Sequence, residues 1–359
     1  MYLVRSVGRQ GTFSSMTNLL AAPAIAPVAH VKWYVEDPTG ADLDLSFALS
    51  PLTLGLTAVA VLTVIGWRAV AVRKAPVPEI SRLSFLGRLA PWIPRILAIH
   101  LGVSLLSLSV ADAYLSPGLS VEDVPGGWLI VLVQAVIGVW LITGVALRPA
   151  AVAVIALGPL GLLLAGPVPV LEGIDRLGLA VFLLLLPPGR DAHGARPVTA
   201  EQLRLPIFAL RLGVGIALVV LAFSEKLLVP DLMRELLAER PYLDPLQGLG
   251  LTDSPDLFIV VASVTELALG LLIISGAAPQ LVVFAAGVPF NVTLIFFDRF
   301  ELIGHLPVYG ALLALLVYGS HPELARSVRD LAPWRARPGG PGQAAGEGEV
   351  EALVSPPGG

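Results

Sequence analysis

The chain contains no cysteine. That excludes disulfides, thiolate metal sites and any thiol or persulfide relay carried by this chain itself. Charge is scarce too: 14% of the residues are Asp, Glu, Lys or Arg, against roughly 25% in soluble domains. No GxGxxG follows a strand-like segment, and neither a P-loop nor an HExxH occurs, so the common nucleotide and zinc-hydrolase fingerprints are missing. Covalent haem has no CxxCH to hold it, and no basic tract carries a nucleic-acid footprint.

What fills the chain instead is apolar. Hydrophobic residues make up 55% of it and the mean hydropathy is +0.81. Apolar runs of about 18 residues or more read as membrane spans, so the expected fold class is an all-α integral membrane protein whose first partner is the lipid bilayer. Nine spans are expected, at 49–72, 95–115, 128–147, 149–166, 171–188, 206–228, 257–277, 279–297 and 304–320. Residues 1–47 are polar apart from the patch NLLAAPAIAPVA, which resembles a weak signal-peptide core but is broken by Pro23 and Pro27; cleavage is not assumed. After His321, residues 322–359 are rich in Gly and Pro and are expected to form a disordered tail.

Loop cations set the expected orientation. Arg68, Arg73, Lys74, Arg82 and Arg88 follow the first span, Arg190, Arg196 and Arg204 follow the fifth, and Arg326, Arg329, Arg335 and Arg337 follow the ninth. With nine spans all three groups share one side, which predicts a cytoplasmic C-terminus and an outside N-terminus in a plasma membrane.

An internal repeat runs through the chain. LSVADAYLSPGL (108–119) lies over LAFSEKLLVPDL (221–232), QAVIGVWLITG (134–144) over ELALGLLIISG (266–276), and EGIDRLG (172–178) over ELIGHLP (301–307). The expected organisation is therefore an N-terminal segment (1–47), one extra span (48–74), a first four-helix repeat (75–200), a second four-helix repeat (201–321) and the tail. An even number of helices per copy makes the copies parallel, with a natural cavity between them.

Intramembrane ionisable groups are costly and mark candidate sites. Glu266 lies near the middle of the seventh span; its first-repeat counterpart is Gln134. Glu225 and Lys226 align with Asp112 and Ala113, and the pair reads either as an interfacial ion pair or as part of a site. Glu301 and His305 stand one helical turn apart, aligned with Glu172 and Arg176. They offer a proton relay, since His titrates near neutral pH; a metal set with Glu266 and Asn291 is the weaker reading, and no metal is assigned. Asn291 is expected to hydrogen-bond Glu266 or His305. Interhelical polar glue is the plain alternative for all of these residues. His100 aligns with Arg211, both at headgroup level. GVGIALVV and GPLGLLLAG present small residues for close helix packing.

RLGVGIALVVLAFSEKLL (211–228) and ELALGLLIISGAAPQ (266–280) resemble the first and second helices of the DoxX family of four-helix membrane proteins. The resemblance covers roughly 95–320, with the first repeat a degenerate version. It implies a subunit or accessory factor of a membrane redox system: the family includes thiosulfate:quinone oxidoreductase small subunits, maturation helpers of amine dehydrogenases and partners in oxidative-stress complexes. It also implies a quinone or small-solute pocket at Glu266, Glu301 and His305, and an oxidoreductase partner. Two other readings stay open, a small-solute or proton-coupled transporter and a membrane scaffold, and whether the chain is itself an enzyme is undecided at this point.

Overall fold

The computed structural model describes residues 42–122, 124–187, 196–296, 302 and 304–335. Residues 1–41, Glu301 and the tail from 336 lie outside that set.

A short helix α1 (Leu45–Ala48) leads into α2 (Pro51–Lys74), which starts on the Ser50 hydroxyl accepting from the Thr53 amide, with Pro51 in the first position. Much of α2 is exposed and apolar, as at Leu54, Leu62 and Ile65. A surface of that kind is stable only against lipid.

Two groups of four helices follow. The first is α3 (Ile93–Val110), entered through a 3₁₀ segment (Ser81–Trp92), then α4 (Gly127–Thr143), α5 (Leu147–Ala165), a one-and-a-half-turn α6 (Pro167–Glu172) and α7 (Ile174–Leu185). Of these, α6 is a cap rather than a span. The second group comprises α8 (Ala200–Ala222) continued by a π-helical turn (Phe223–Leu227), α11 (Asp256–Ser275), α12 (Pro279–Phe296) and α13 (Leu306–Ser320). Between α8 and α11 stand two surface helices, α9 (Pro230–Glu239) and α10 (Pro245–Gly248).

Each of the nine expected spans thus has a helix. Five of the apolar segments among the described residues reach crossing length: Pro51–Lys74, Ser81–Val110, Leu147–Ala165, Ala200–Leu227 and Asp256–Ser275. Three more are apolar but shorter, Gly127–Thr143, Pro279–Ile295 and Leu306–Ser320. The helix of the fifth expected span is only 12 residues long, because the chain breaks at Gly173 between α6 and α7.

The two groups pack with matching geometry. Gly102 of α3 lies on Gly138 of α4, and a methyl on Gly102 would sit 2.6 Å from the Gly138 carbonyl oxygen. Gly215 of α8 lies on Gly270 of α11, where the same distance is 2.6 Å. The spacing is 113 residues between the first helices and 132 between the second. Both second helices end on a left-handed glycine, Gly144 (φ 77°) and Gly276 (φ 62°), each followed two residues later by an alanine held left-handed, Ala146 (φ 49°) and Ala278 (φ 50°). An alanine there costs about 1 kcal/mol, so the same strained connector stands at both places.

The groups meet at two crossings. Gly178 of α7 touches Gly213 of α8 backbone to backbone, a methyl on Gly213 lying 2.6 Å from the Gly178 Cα. At the other crossing Gly310 of α13 faces the His100 side chain of α3 at 3.1 Å. Gly213 and His100 are 113 residues apart, Gly310 and Gly178 are 132 apart. The partner of His100 is therefore Gly213, two residues past the Arg211 expected from sequence. The fourth helices also shift by three residues: His305 and Gly173 are both N-caps, which takes Arg176 out of register with His305.

The C-terminal segment corrects a further expectation. Residues 322–335 are folded, not disordered: α14 (Ala325–Val328) and its continuation lie across the ends of α2, α8 and α11. Ser327 Oγ donates to the Ala200 carbonyl at 2.7 Å, Arg211 donates to the Val328 and Asp330 carbonyls, and Arg204 Nε bonds Asp330 at 2.7 Å. Arg329 reaches Glu79 and the Ala75 and Pro76 carbonyls. Trp334 stacks edge-on against Phe208 at 5.8 Å. Composition alone read this strap as part of the Gly/Pro-rich tail; its ties are guanidiniums meeting carbonyls, which composition does not register.

Candidate functional site

The site begins with a backbone irregularity. At the end of α8 the helix widens into a π turn over Phe223–Leu227. A π turn inserts one residue into the helical ladder and is common at functional sites. Here it carries three successive polar residues, Ser224, Glu225 and Lys226, into a protein interior. Ser224 Oγ donates to Glu172 Oε1 at 2.7 Å. Lys226 Nζ donates to Glu266 Oε2 at 2.7 Å, the two side chains being 13% and 20% exposed. Glu225, between them, is buried.

Glu172 closes α6, and the chain turns through Gly173 into α7, whose first turn holds Asp175 and Arg176. Both are buried and form an ion pair at 3.0 Å. Arg176 Nε also donates to Ser104 Oγ of α3 at 3.1 Å. The result is a polar run of three bonded groups, Glu266 with Lys226, Ser224 with Glu172, and Asp175 with Arg176 and Ser104, joined to one another by the backbone of the π turn and of Gly173. It crosses from the second helix group to the first.

The expected residues divide. Glu266, Lys226, Glu225, Glu172 and Arg176 belong to this run. Glu301 lies outside the described residues. His305 is buried at the N-cap of α13 with its ring edge-on to Phe290 at 4.9 Å. Asn291 is exposed, and its amide donates to the Gly287 carbonyl of its own helix at 2.7 Å; that bond takes it away from the expected link to Glu266 or His305. Asp112 keeps sequence register with Glu225 but not its environment. It is exposed and left-handed (φ 49°), at the start of a hairpin of β1 (Ala113–Tyr114) and β2 (Ser116–Ser120), where the second group has its π turn.

Gln134 explains that difference. Fully buried in α4, it accepts from the Leu115 amide at 2.9 Å and donates to the carbonyls of Leu105 and Ala113 and to Ser109 Oγ at 3.0–3.2 Å. One neutral amide side chain thus satisfies the frayed end of α3 and the hairpin after it. Glu266, at the matching position, faces Lys226 instead. Sequence reasoning missed Asp175, Ser104 and Ser224. Asp175 lies between Glu172 and Arg176, whose spacing alone accounts for an acid–cation pair. No group of three or more His, Cys, Asp or Glu able to hold a metal occurs among the described residues.

Comparison with protein-family models, curated proteins and solved structures finds no match to this chain. Glu172, Asp175, Glu225 and Glu266 stand in the polar run with Arg176 and Lys226. A carboxylate in a low-dielectric site is stable only when paired or hydrogen-bonded. Ionisable side chains and a hydroxyl gathered at a helix junction in this way are suited to holding a proton or a small charged group.

Proposed function

We propose that this chain is a DoxX-like multi-pass membrane subunit, built of two parallel four-helix repeats, whose working part is a proton-handling site serving a quinone-linked redox system. Loop cations favour a plasma-membrane orientation with the N-terminus outside and the C-terminus cytoplasmic. The proton-handling part is supported by ionisable groups gathered at a π turn where the halves meet: Lys226 donates to Glu266 at 2.7 Å and Ser224 to Glu172 at 2.7 Å, with Glu225 buried between them. Ionisable groups inside membrane helices are costly and mark proton and ion pathways. The redox assignment rests on the resemblance of 211–228 and 266–280 to that family. Membrane quinone reduction takes up two protons with two electrons, so an accessory subunit with acids at membrane depth suits it chemically.

A proton-coupled transporter is the second reading, favoured by the placement of the run across two halves that thread the bilayer in the same direction. One purification separates the readings. The protein is isolated in a gentle detergent, and its small molecules and co-eluting proteins are identified by mass spectrometry. A bound quinone or a stoichiometric oxidoreductase supports the redox subunit. A ligand-free, partner-free protein that acidifies liposomes under an imposed gradient, and stops doing so in Glu266→Gln, supports the transporter. Full biological function with Glu266→Gln and Glu172→Gln combined would leave only a scaffold.

A further inference from the structure

Three arginines converge at the opposite end of the first helix group. Arg95, in the first turn of α3, donates to the Leu141 carbonyl at 3.2 Å and packs on the left-handed Gly144. Arg148, in the first turn of α5, donates through Nε to the Leu184 carbonyl at 3.0 Å. Arg196 donates through Nη1 to the Pro187 carbonyl at 3.3 Å, while its backbone amide bonds the Pro91 carbonyl at 2.6 Å. Leu184 and Pro187 stand three residues apart where α7 ends, so Arg148 and Arg196 meet one stretch of chain, and the bond to Pro91, four residues before Arg95, brings the Arg196 backbone to the start of α3.

Every acceptor in this group is a backbone carbonyl; among the described residues none is a carboxylate. The matching end of the second group differs, for Arg204 meets Glu201 and Asp330 and Arg329 meets Glu79. Two helix C-termini, those of α4 and α7, each supply about −0.5 of a charge and the N-terminus of α5 about +0.5, so among the described residues the three guanidiniums leave roughly +2.5. Arg196 Nε is buried with no hydrogen-bond partner, and the side chain as a whole is 7% exposed. Burial, and after it the neighbouring Arg148, hold the Arg196 guanidinium below its ordinary value. Arg148 itself is exposed, and Trp92 beside the group is 46% exposed, at the ends of apolar helices where headgroups and interfacial tryptophans sit.

We propose that Arg95, Arg148 and Arg196 form a phosphate-oxyanion site at the membrane surface, of the kind that an anionic lipid headgroup or inorganic phosphate fills. Forked guanidiniums match phosphate oxygens in shape as well as charge. The test uses the full chain, delipidated in a neutral detergent, with lipid retention read by native mass spectrometry. Phosphatidylglycerol is expected to stay bound where phosphatidylcholine washes off. Arg148→Gln, at an exposed position, should weaken that retention about fivefold, Arg148→Lys less, and Arg148→Gln with Arg95→Gln more. Lipid retention that millimolar inorganic phosphate does not displace assigns the site to the headgroup. Saturable phosphate binding lost in Arg148→Gln keeps the oxyanion site and assigns it to the free ion. Equal retention of the two lipids together with no phosphate binding overturns the proposal, as does a phosphatidylglycerol preference unchanged in Arg148→Gln. That variant's unfolding temperature without lipid controls for damage to the fold.

Discussion

The Lys226–Glu266 pair tests the candidate site through its energetics. The two atoms are 2.7 Å apart, and the side chains are 13% and 20% exposed. A fully buried pair loses about 3–5 kcal/mol when one partner goes, because the other charge is stranded; an exposed pair loses at most about 1 kcal/mol. At this exposure Lys226→Met is expected to cost about 3 kcal/mol, since it leaves a carboxylate at membrane depth. Glu266→Gln is expected to cost about 1–2 kcal/mol, since the amide oxygen still accepts from the ammonium. Removing both charges, as Lys226→Met with Glu266→Gln, strands no charge and should restore stability to within about 1 kcal/mol of the parent. The coupling between the positions is then about 2 kcal/mol or more. Reversible unfolding in mixed micelles, followed by circular dichroism, measures all four corners of the cycle. Additive losses, with coupling under about 0.5 kcal/mol, would mean that the pair does not interact in the membrane and would remove the second helix group's part of the site.

Gly213→Ala should cost about 2–3 kcal/mol, because the new methyl meets the Gly178 backbone at 2.6 Å, whereas Gly310→Ala, meeting the His100 Cβ and ring at 3.1 Å and asking a shift of only a few tenths of an ångström, should cost about 1 kcal/mol; thermal unfolding of the two variants side by side gives the comparison. Gln134→Leu leaves the Leu115 amide and the Ala113 carbonyl buried without their partner, so a loss of about 3 kcal/mol is expected, with amide exchange rising first in the 113–120 hairpin. A stop after Leu324 removes the carbonyls that hold Arg211 and Arg204 and should open the chain to protease near 75–80, while a stop after Arg335 should change neither stability nor cleavage.

The helices were legible because their signal is length and hydropathy, and lipid demands both. All nine expected spans have a helix, and the 113 and 132 offsets read from two short motifs reappear in the Gly102–Gly138 and Gly215–Gly270 contacts. Register was less legible where identities are few. The fourth helices were aligned on an acid followed by a cation, but the contacts align Gly178 with Gly310, because packing at a crossing selects the small residue and ignores the charges nearby. Glu266, Glu225 and Lys226 stood out in sequence as charges inside apolar runs. Ser104 and Ser224 did not, since serine is ordinary in such helices. Nor did the strap, most of whose ties end on backbone carbonyls that every residue carries.

The two ends of the molecule have diverged to different degrees. At the arginine end both groups keep a left-handed glycine, a strained alanine two residues on, and an arginine on the glycine: Arg95 on Gly144, and Arg211 on Gly276 from one turn further along its helix. At the acidic end the same register leads to a hairpin in one group and a π turn with surface helices in the other. Gln134 occupies itself entirely with closing the hairpin, which leaves no group at that position for chemistry. Glu266 keeps its charge and meets a lysine that the π turn supplies. Yet the first group is more than packing, since Glu172 and Asp175 come from it and Ser224 joins Glu172 to the second. The ionisable run therefore requires both halves in contact. A change that opens the Gly178–Gly213 crossing should break the Ser224–Glu172 bond and lower the stability of the fold together, whereas a change at Gln134 should lower stability alone.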